Sequence, residues 1–570
     1  MNFTISGGSA GAKITTTERE EQGVLYVDIH MELPAAAIPE EFSLRWYTPI
    51  TAVYSIWAPG MHGMRNLPPQ WSPAATDSRL ASWMPVQALL SGDGKNRLTI
   101  ALSDAFTPAG ISTGVVEETA CMECTVRLFT LPTAPVTENA VTLRLDPRPI
   151  DWCDAIRAVA DWWQTECGYT PASVPEHARL PMNSLWYSFH QRLEPAAIVE
   201  QCRLSRPYGM ETVIVDDGWQ TLDSGRGYAY CGDWQPERLS DMRGLVDAVH
   251  ATGMKLMLWY SVPFVGIYSK KYQEFKDMVL DQPHDGGKTW ALDPRYRQVR
   301  EYLVDVYTRA VKEWDLDGLK LDFIDSFALH GRSLEPDPRR DFSSLEQAVD
   351  ALMQAVTDGL RAIRPDILIE FRQSYVGPAI RKYGNMRRVG DCPADPQVNR
   401  RNIVDLRLTS GETAVHSDML MWNRAETPEN VARQLATVLY AVPQISVLLD
   451  TLPEAHQAVL KYYLDFWRQY RGVLLDGRLW ARHPEACYSQ VGAEKDDLSI
   501  VTVYTDPVLH CGESKLIAVN AGVYGQLILK NAVGRRWRVL DCTGAVVAAG
   551  TAESSLAEIA VPVGGMLFVE

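Results

Sequence analysis

The first 148 residues alternate apolar and polar positions in short runs, which is the pattern of half-buried β-strands. Clusters of Pro, Gly, Ser, Asn and Asp separate these runs and are typical of turns between strands. The pattern predicts a β-sandwich over residues 1–148. Residues 150–167 instead repeat apolar positions at helical spacing, so we expect a linker helix there, inside a linker segment at 149–180. The strand-like runs are VLYVDIHMEL, FSLRWY, NRLTIAL, CTVRLFTL and AVTLRLD.

From residue 181 the pattern changes to short apolar strands that alternate with helical segments. Eight such strands predict a (β/α)8 barrel over residues 181–475. The chain becomes strand-like again over 476–570, where we expect a small C-terminal β-sandwich domain. The predicted fold class is therefore multidomain α/β, with a central (β/α)8 TIM barrel, an N-terminal β-sandwich and a small C-terminal β-domain. The predicted barrel strands are 183–189, 212–217, 255–261, 318–323, 367–372, 386–391, 413–418 and 442–449.

The composition disfavours several classes of partner. The formal net charge is -16 and no block of Lys and Arg stands out, which argues against nucleic acid and anionic membranes. No apolar run is long enough to span a membrane, and the N-terminus lacks the basic and apolar regions of a secretory signal. Cys121 and Cys124 form a CxxC, but no second pair completes a zinc site, so we interpret them as two thiols on a strand. We expect a cytoplasmic protein with no metal or cofactor.

Ionisable side chains follow several of the predicted barrel strands. Catalytic residues of such barrels lie at the C-terminal strand ends. A single Asp there is often only a helix cap, but residues from five of eight strands are harder to explain in that way. Two chemistries fit: a metal site, or glycoside hydrolysis by two carboxylates with Trp faces for the sugar. The strand-end residues are Asp216, Asp217, Asp322, Glu370, Arg372, Asp391, His416 and Asp418.

The segment 315–325, DLDGLKLDFID, carries the most specific signal. Asp322 ends an apolar strand, two residues after Lys320. A buried charge costs several kcal/mol unless it is paired or used. We therefore predict that Asp322 is catalytic.

Five motifs occur in an order that resembles the α-galactosidases of glycoside hydrolase family 36 and their clan relatives. The resemblance extends over about residues 180–475, and the β–barrel–β layout agrees with it. The motifs are VIVDDGWQ (213–220), CGDWQPERL (231–239), GMKLMLWYS (253–261), GLKLDFID (318–325) and RRVGDCPADP (387–396).

The resemblance implies a retaining mechanism without a cofactor. Asp322 would be the nucleophile that forms a covalent glycosyl-enzyme. Asp391 would be the acid/base, and its pKa should lie above that of Asp322 because it must begin protonated. Lys320 would bind sugar hydroxyls and keep nearby carboxylates ionised; its alternative is a structural ion pair with Asp216 or Asp217.

The resemblance also implies how the terminal sugar is held. Asp216 and Asp217 would bind two of its hydroxyls, including the axial O4. Trp186 and Trp234 would form apolar walls, with core packing as the alternative. The remaining predicted substrate-binding residues are Trp259, Arg372 and Arg388, of which Arg388 would contact the substrate or orient Asp391.

Two departures from the family leave parts of the prediction open. EFRQSYVGP (370–378) stands where the family has a cysteine–triple-glycine–arginine segment, and SVPFVG (261–266) replaces its Glu-Pro-Glu turn. The 2-substituent of the sugar and the leaving group therefore stay open. Asp395 and Asp418 are rivals of Asp391 as acid/base.

The predicted function is that of a retaining, exo-acting hydrolase of terminal α-galactosides or closely related α-glycosides, with an oligosaccharide as partner and a homo-oligomer as an open expectation. Alternatives within the clan are an α-N-acetylgalactosaminidase and a raffinose-synthase-like α-galactosyl transferase. Alternatives of other classes are a catalytically silent carbohydrate-binding protein and a metal-dependent barrel hydrolase.

Overall fold

The structure, a computed structural model, describes residues 2–60, 65–372 and 374–570. An eight-stranded parallel sheet lies in the middle of the chain, with separate β-sheets before and after it. The predicted fold class is therefore confirmed. The limits of the domains stay predictions. Among the described residues, no helix is both long and apolar enough to span a membrane.

The N-terminal part folds into a five-stranded and a six-stranded sheet that share one core. Strand Cys121–Leu128 shows why, because its positions alternate strictly between half-buried and buried. The five-stranded sheet contains, in spatial order, Thr4–Gly7, Phe42–Pro49, Cys121–Leu128, Ala109–Val116 and Ala74–Ser78. The six-stranded sheet contains Lys13–Glu21, Val24–Ala37, Val136–Asp146, Asn96–Leu102, Val86–Leu90 and Ser55–Trp57.

Helix Trp152–Thr165 connects these sheets to the rest of the chain. The carboxylate of Asp151 accepts a hydrogen bond from the Cys153 amide and caps the helix N-terminus. The indole of Trp163 donates to the Leu102 carbonyl at 2.8 Å, and that of Trp152 donates to the Ala481 carbonyl at 2.9 Å. The helix therefore contacts both the N-terminal sheets and the C-terminal β-domain.

The eight barrel strands are parallel and lie in chain order around the sheet. The first pairs with the eighth through Met182 and Gln444. A parallel bridge between His416 and Val442 joins the seventh strand to the segment just before the eighth, so the sheet is nearly closed. The strands are Met182–Ser184, Thr212–Val215, Lys255–Ser261, Gly318–Asp322, Leu368–Arg372, Met386–Arg388, Ala414–His416 and Gln444–Ile445.

The predicted first barrel strand, 183–189, is wrong over its second half. The strand ends at Ser184, and Trp186–Phe189 form a short helix instead. A short apolar run such as NSLWYSF does not distinguish a strand from a buried helical turn. The helix places Trp186 and Tyr187 at the rim of the barrel.

Helices cover the outside of the barrel and bury one face each. In Leu345–Ile363, for example, Leu345, Val349, Leu352, Val356 and Leu360 are buried at helical spacing. A three-stranded sheet, formed by Phe264–Gly266, Thr289–Leu292 and Val279–His284, follows the third barrel strand. The longer helices are Pro195–Ser205, Met242–Ala251, Arg297–Trp314, Leu345–Ile363, Pro396–Thr409, Pro428–Thr437 and Glu454–Asp476, and a short one is Lys270–Phe275.

The C-terminal part contains a seven-stranded and a three-stranded sheet around a core of their own. The larger sheet consists of Arg478–Arg482, Gln490–Lys495, Leu498–Val503, Lys515–Asn520, Met566–Val569, Arg536–Leu540 and Val546–Thr551. The smaller sheet consists of Val508–His510, Gln526–Lys530 and Leu556–Ala560.

Candidate active site

Asp322 is the last residue of the fourth barrel strand, and its carboxylate accepts four hydrogen bonds. Oδ2 accepts from the Trp259 indole at 2.9 Å and from Nε of Arg372 at 2.9 Å. Oδ1 accepts from the Tyr375 hydroxyl at 2.5 Å and from the Phe323 amide at 2.8 Å. The last bond forms because Phe323 takes a left-handed conformation, with φ of 66°, that ends the strand. These donors hold a buried anion in one orientation.

Burial of Asp322 alone would raise the pKa of its carboxyl. The charges of Arg372 and Lys320 and the bonds from Tyr375 and Trp259 more than offset this, so the pKa lies below its usual range. Asp322 is therefore ionised at neutral pH, as a nucleophile must be.

Lys320 lies on the same face of the strand and points past the third strand to Asp216, which directly follows the second strand. Its Nζ is 2.5 Å from Oδ2 of Asp216, and both side chains are buried. The structure thus contains the ion pair with Asp216 that was the structural alternative for Lys320. Together with Arg372, the charge of Lys320 lowers the pKa of Asp322.

Asp217 is buried behind the second barrel strand and is held by two amides. Gln191 Nε2 donates to Oδ2 at 2.6 Å, and Gln220 Nε2 donates to Oδ1 at 2.7 Å. Burial raises the pKa of Asp217 to about 6, with these two bonds acting in the opposite direction. Each carboxylate oxygen keeps a further acceptor position, but burial makes the charged form of Asp217 unfavourable.

Asp391 lies at the rim beyond the sixth barrel strand, and its side chain is 35% exposed. Nη2 of Arg388 donates to its Oδ1 at 2.9 Å. Nη1 of Arg372 is 3.2 Å from the same oxygen without forming an aligned hydrogen bond. A single guanidinium therefore contacts both Asp322 and Asp391, which brings the two predicted catalytic carboxylates to one site.

The predicted order of pKa values for Asp391 and Asp322 is wrong. Burial would raise the pKa of Asp391, but Arg388, Arg372 and Lys320 hold it well below its usual range. The pKa of Asp322 is lowered as well, so the separation expected for an acid and a nucleophile is absent. The reason is that Arg388 and Arg372 both face Asp391.

The two rivals of Asp391 occupy other positions. Asp395 caps helix Pro396–Thr409 by accepting from the amides of Gln397 and Val398, each at 3.0 Å. Asp418 is fully buried, accepts from the Cys392 amide at 2.7 Å and is hydrogen-bonded to Arg388 and Tyr187. Asp391 is thus the exposed carboxylate among those that contact Arg388.

The three predicted sugar-facing tryptophans differ in their surroundings. Trp259 donates directly to Asp322. Trp234 is 4% exposed and stacks on Trp219 at 6.0 Å inside an aromatic cluster, a position that matches its core-packing alternative. Trp186 is half-buried at the rim, with its ring 4.6 Å from that of His190.

Several residues of the site were missed from the sequence. Tyr228 packs on Phe323 at 5.0 Å and stacks on Trp259 at 6.2 Å. Burial and the charges of Asp322 and Asp217 raise the pKa of the Tyr228 phenol. Tyr375 was also missed, although it belongs to the EFRQSYVGP segment whose departure from the family marked the region.

Strand-end residues deeper in the barrel form a second polar layer. Glu370 accepts from the Gln444 amide at 2.5 Å and lies 3.5 Å from Arg388. His416 is buried, its Nε2 is 2.8 Å from the Ala178 carbonyl, and burial lowers its pKa to about 4. In the described parts of the chain, no group of three or more His, Cys, Asp or Glu is arranged to hold a metal ion.

The barrel segment has recognisable relatives. Residues 181–377 match the model of the melibiase family. The match begins at the first barrel strand and ends just after Tyr375, so it includes Asp322 and excludes Asp391. The resemblance to the α-galactosidases of glycoside hydrolase family 36 is confirmed.

Two curated relatives match shorter regions. One is an A type blood α-D-galactosamine galactosaminidase of Flavonifractor plautii, 33% identical over 20% of this chain and 12% of that protein. The other is the α-galactosidase AgaA of Geobacillus stearothermophilus, 25% identical over 32% of this chain and 26% of that protein. The matches thus span about an eighth and a quarter of these relatives.

Solved structures share the fold over nearly the whole chain. The crystal structure of AgaA from Geobacillus stearothermophilus superposes with a TM-score of 0.67 at 15% identity, over 98% of this chain and 81% of that one. An AgaA variant in complex with raffinose gives the same TM-score, identity and coverage. The β–barrel–β arrangement around the melibiase segment is therefore that of these proteins.

Proposed function

We propose that this protein is a retaining, exo-acting glycoside hydrolase that cleaves terminal α-galactosides. The observation that carries the proposal is the pair Asp322 and Asp391, both contacted by Arg372 at the C-terminal rim of a barrel whose residues 181–377 match the melibiase family model. The charge of Lys320 acts on Asp322, and Lys320 is paired with Asp216, which is followed by Asp217; these three residues would supply polar partners for the sugar hydroxyls.

The reaction would proceed in two displacements. In the first, an Asp322 oxygen attacks the anomeric carbon, the glycosidic bond breaks, and Asp391 gives its proton to the leaving oxygen. In the second, Asp391 takes a proton from water, the water oxygen attacks the anomeric carbon, and the bond to Asp322 breaks. Two inversions return the sugar with its α-configuration.

Asp391 must gain a proton before the first step, although the charges of Arg388, Arg372 and Lys320 favour its anion. Arg372 makes only a misaligned contact with Asp391. A sugar that enters between the two groups would separate them and weaken the charge that lowers the pKa of Asp391. The anion of Asp391 that these cations favour is the form that the second step requires.

The similar proteins support an oligosaccharide substrate and leave the 2-position of the sugar as a second candidate. AgaA is an α-galactosidase whose variant was solved with raffinose, and the Flavonifractor plautii relative is described as a galactosaminidase. Because EFRQSYVGP replaces the family segment on that side, an α-galactosaminide is the second substrate to test. A cytoplasmic location and a homo-oligomer stay predictions, to be tested by fractionation and size-exclusion chromatography.

The test is the release of 4-nitrophenol from 4-nitrophenyl α-D-galactopyranoside by the wild type and by Asp322→Ala. We expect release by the wild type alone, and NMR should show α-galactose as the first product. An equally active Asp322→Ala protein of unchanged thermal stability would contradict the nucleophile, and β-galactose as first product would contradict retention. No release from this glycoside, but release from the 2-amino or 2-acetamido analogue, would favour the second candidate.

A further inference from the structure

A cavity of about 550 Å³ opens beside Asp391. One side is formed by Trp83 and Met84, which precede strand Val86–Leu90 of the N-terminal part, and the other by helix Pro396–Thr409 of the barrel. A general acid must lie next to the oxygen of the bond that it breaks. The part of the substrate beyond that oxygen, the aglycone, would therefore extend into this cavity.

The wall of this cavity, which we call the aglycone cavity, is largely apolar. Barrel residues Val376, Val389 and Val398 face Trp83 and Met84 across it. Val376, Val389 and Met84 are buried, and Val398 is half-buried. Contact between such a wall and an apolar group is favourable because it removes apolar surface from water, whereas contact with a hydroxyl is not.

Several polar side chains in the wall already have hydrogen-bond partners within the protein. Asp405 accepts from the Trp57 indole at 3.0 Å and is also bonded to Arg65 and Tyr488. The Ser374 hydroxyl donates to Asp325 at 2.6 Å.

The Thr409 hydroxyl is also used, since it donates to the Asp405 carbonyl at 2.9 Å. Arg401 and Asn402 supply the rest of the polar edge. A sugar unit has several hydroxyls, and each one that loses water without gaining a partner weakens binding.

We propose that the aglycone cavity selects α-galactosides whose leaving group is an apolar alcohol, alkyl or aryl, over those whose leaving group is another sugar. The proposal rests on the proposed function and narrows its substrate class. It assigns Trp83, Met84 and Val398 as specificity-determining residues.

The test is the rate of galactose release from methyl, butyl and hexyl α-D-galactopyranosides and from melibiose. Simple alcohols are leaving groups of similar reactivity, so differences among the three alkyl substrates report contacts with the wall. We expect kcat/KM to rise by up to about fourfold for each added methylene. We also expect the hexyl glycoside to exceed melibiose. A series that stays flat, or a value for melibiose above that for the hexyl glycoside, would overturn the proposal.

Two Val→Asn variants, one in the wall and one far from it, distinguish an effect of the wall from a general effect of the substitution. Val398→Asn should lower the ratio of hexyl to methyl kcat/KM at least tenfold. Val546→Asn, at a position that is 63% exposed in the C-terminal sheet, should leave that ratio unchanged. Equal ratios in both variants would also overturn the proposal. Galactose release with a flat alkyl series would refute the cavity assignment alone, whereas no release from any α-galactoside, the 4-nitrophenyl one included, would refute the proposed function and the assignment with it.

Discussion

Arg372 donates its Nε–H to Oδ2 of Asp322 at a distance of 2.9 Å. With the bonds from Trp259, Tyr375 and the Phe323 amide, this bond fills the four acceptor positions that a carboxylate offers. A nucleophile that attacks carbon must free one of these positions. The donors to Asp322 therefore keep its carboxylate ionised and also decide whether one of its oxygens is free to attack carbon.

Replacing Arg372 should shift the pH dependence of the reaction. Its positive charge lowers the pKa of Asp322 and of Asp391, so Arg372→Met should raise both pKa values. For an alkyl α-galactoside the basic limb of the kcat/KM profile, where Asp391 loses its proton, should move to higher pH, and the maximum rate should fall roughly a hundredfold. Tyr375→Phe is the matched control: it removes one neutral donor, so we expect a fall of about tenfold and a smaller shift. Identical profiles for both variants would contradict this view of Arg372.

Asp391→Asn should affect substrates according to their leaving groups. A 4-nitrophenyl leaving group departs without a proton, whereas an alkyl alcohol requires one. We expect kcat/KM for methyl α-galactoside to fall by roughly a thousandfold or more, and that for the 4-nitrophenyl glycoside to fall much less. Asp395→Asn is the control, because Asn also caps a helix and Asp395 only binds the start of Pro396–Thr409. If Asp395→Asn showed the leaving-group dependence and Asp391→Asn did not, the acid/base would be reassigned.

Sequence reasoning located the carboxylates because strand ends can be read from the apolar pattern. Asp216, Asp322 and Asp391 each end a recognisable run, and the barrel geometry brings such ends together. The pKa of Asp391 could not be predicted in the same way, because besides Arg388 on the preceding strand it depends on Arg372 and Lys320 from other strands. Tyr228 lies in a loop without periodicity, so no pattern indicated that it would pack against Trp259.

The prediction of the first barrel strand was wrong in its second half for a local reason. The run after Ser184 is apolar and aromatic, which suits a strand, but the chain turns into helix Trp186–Phe189 once the strand has passed through the sheet. Trp186 and Tyr187, which the apolar pattern assigned to the strand, therefore lie in the helix and outside the sheet. Tyr187 then reaches Asp418 at 2.9 Å, a contact that the strand prediction did not foresee.

The raised pKa of Asp217 predicts an acid limit for substrate binding. Its carboxylate must be ionised to accept sugar hydroxyls, and its pKa in the free protein is about 6. The kcat/KM for 4-nitrophenyl α-galactoside should therefore fall about tenfold for each pH unit below 6. A profile between pH 4 and 8 checks this, and a flat profile down to pH 4 would contradict it.

The raised pKa of Asp217 also makes the folding stability depend on pH. The pKa of Asp217 is higher in the folded protein, about 6, than the usual value of 3.8, so its contribution to stability is full below 3.8 and is lost as the pH rises through 6. Asp217→Asn, which stays neutral, should therefore gain stability over the wild type with rising pH, by up to about 3 kcal/mol at pH 8. Thermal unfolding at pH 4 and pH 8 measures the difference. If the stability difference between Asp217→Asn and the wild type were the same at pH 4 and pH 8, the raised pKa of Asp217 would be contradicted.

Arg65 should stabilise the junction between the N-terminal sheets and the barrel. It is buried, and its partner Asp405 lies on helix Pro396–Thr409 and also binds Trp57 of strand Ser55–Trp57. Arg65→Met leaves that buried carboxylate without its cation, which should cost about 3–5 kcal/mol and lower Tm by several degrees. Arg19→Met removes an ion pair in which Arg19 and Glu21 are 38% and 58% exposed, so it should cost about 1 kcal/mol or less. Calorimetry of both variants compares them, and an equal decrease in Tm would show that burial of the Arg65–Asp405 pair adds nothing to stability.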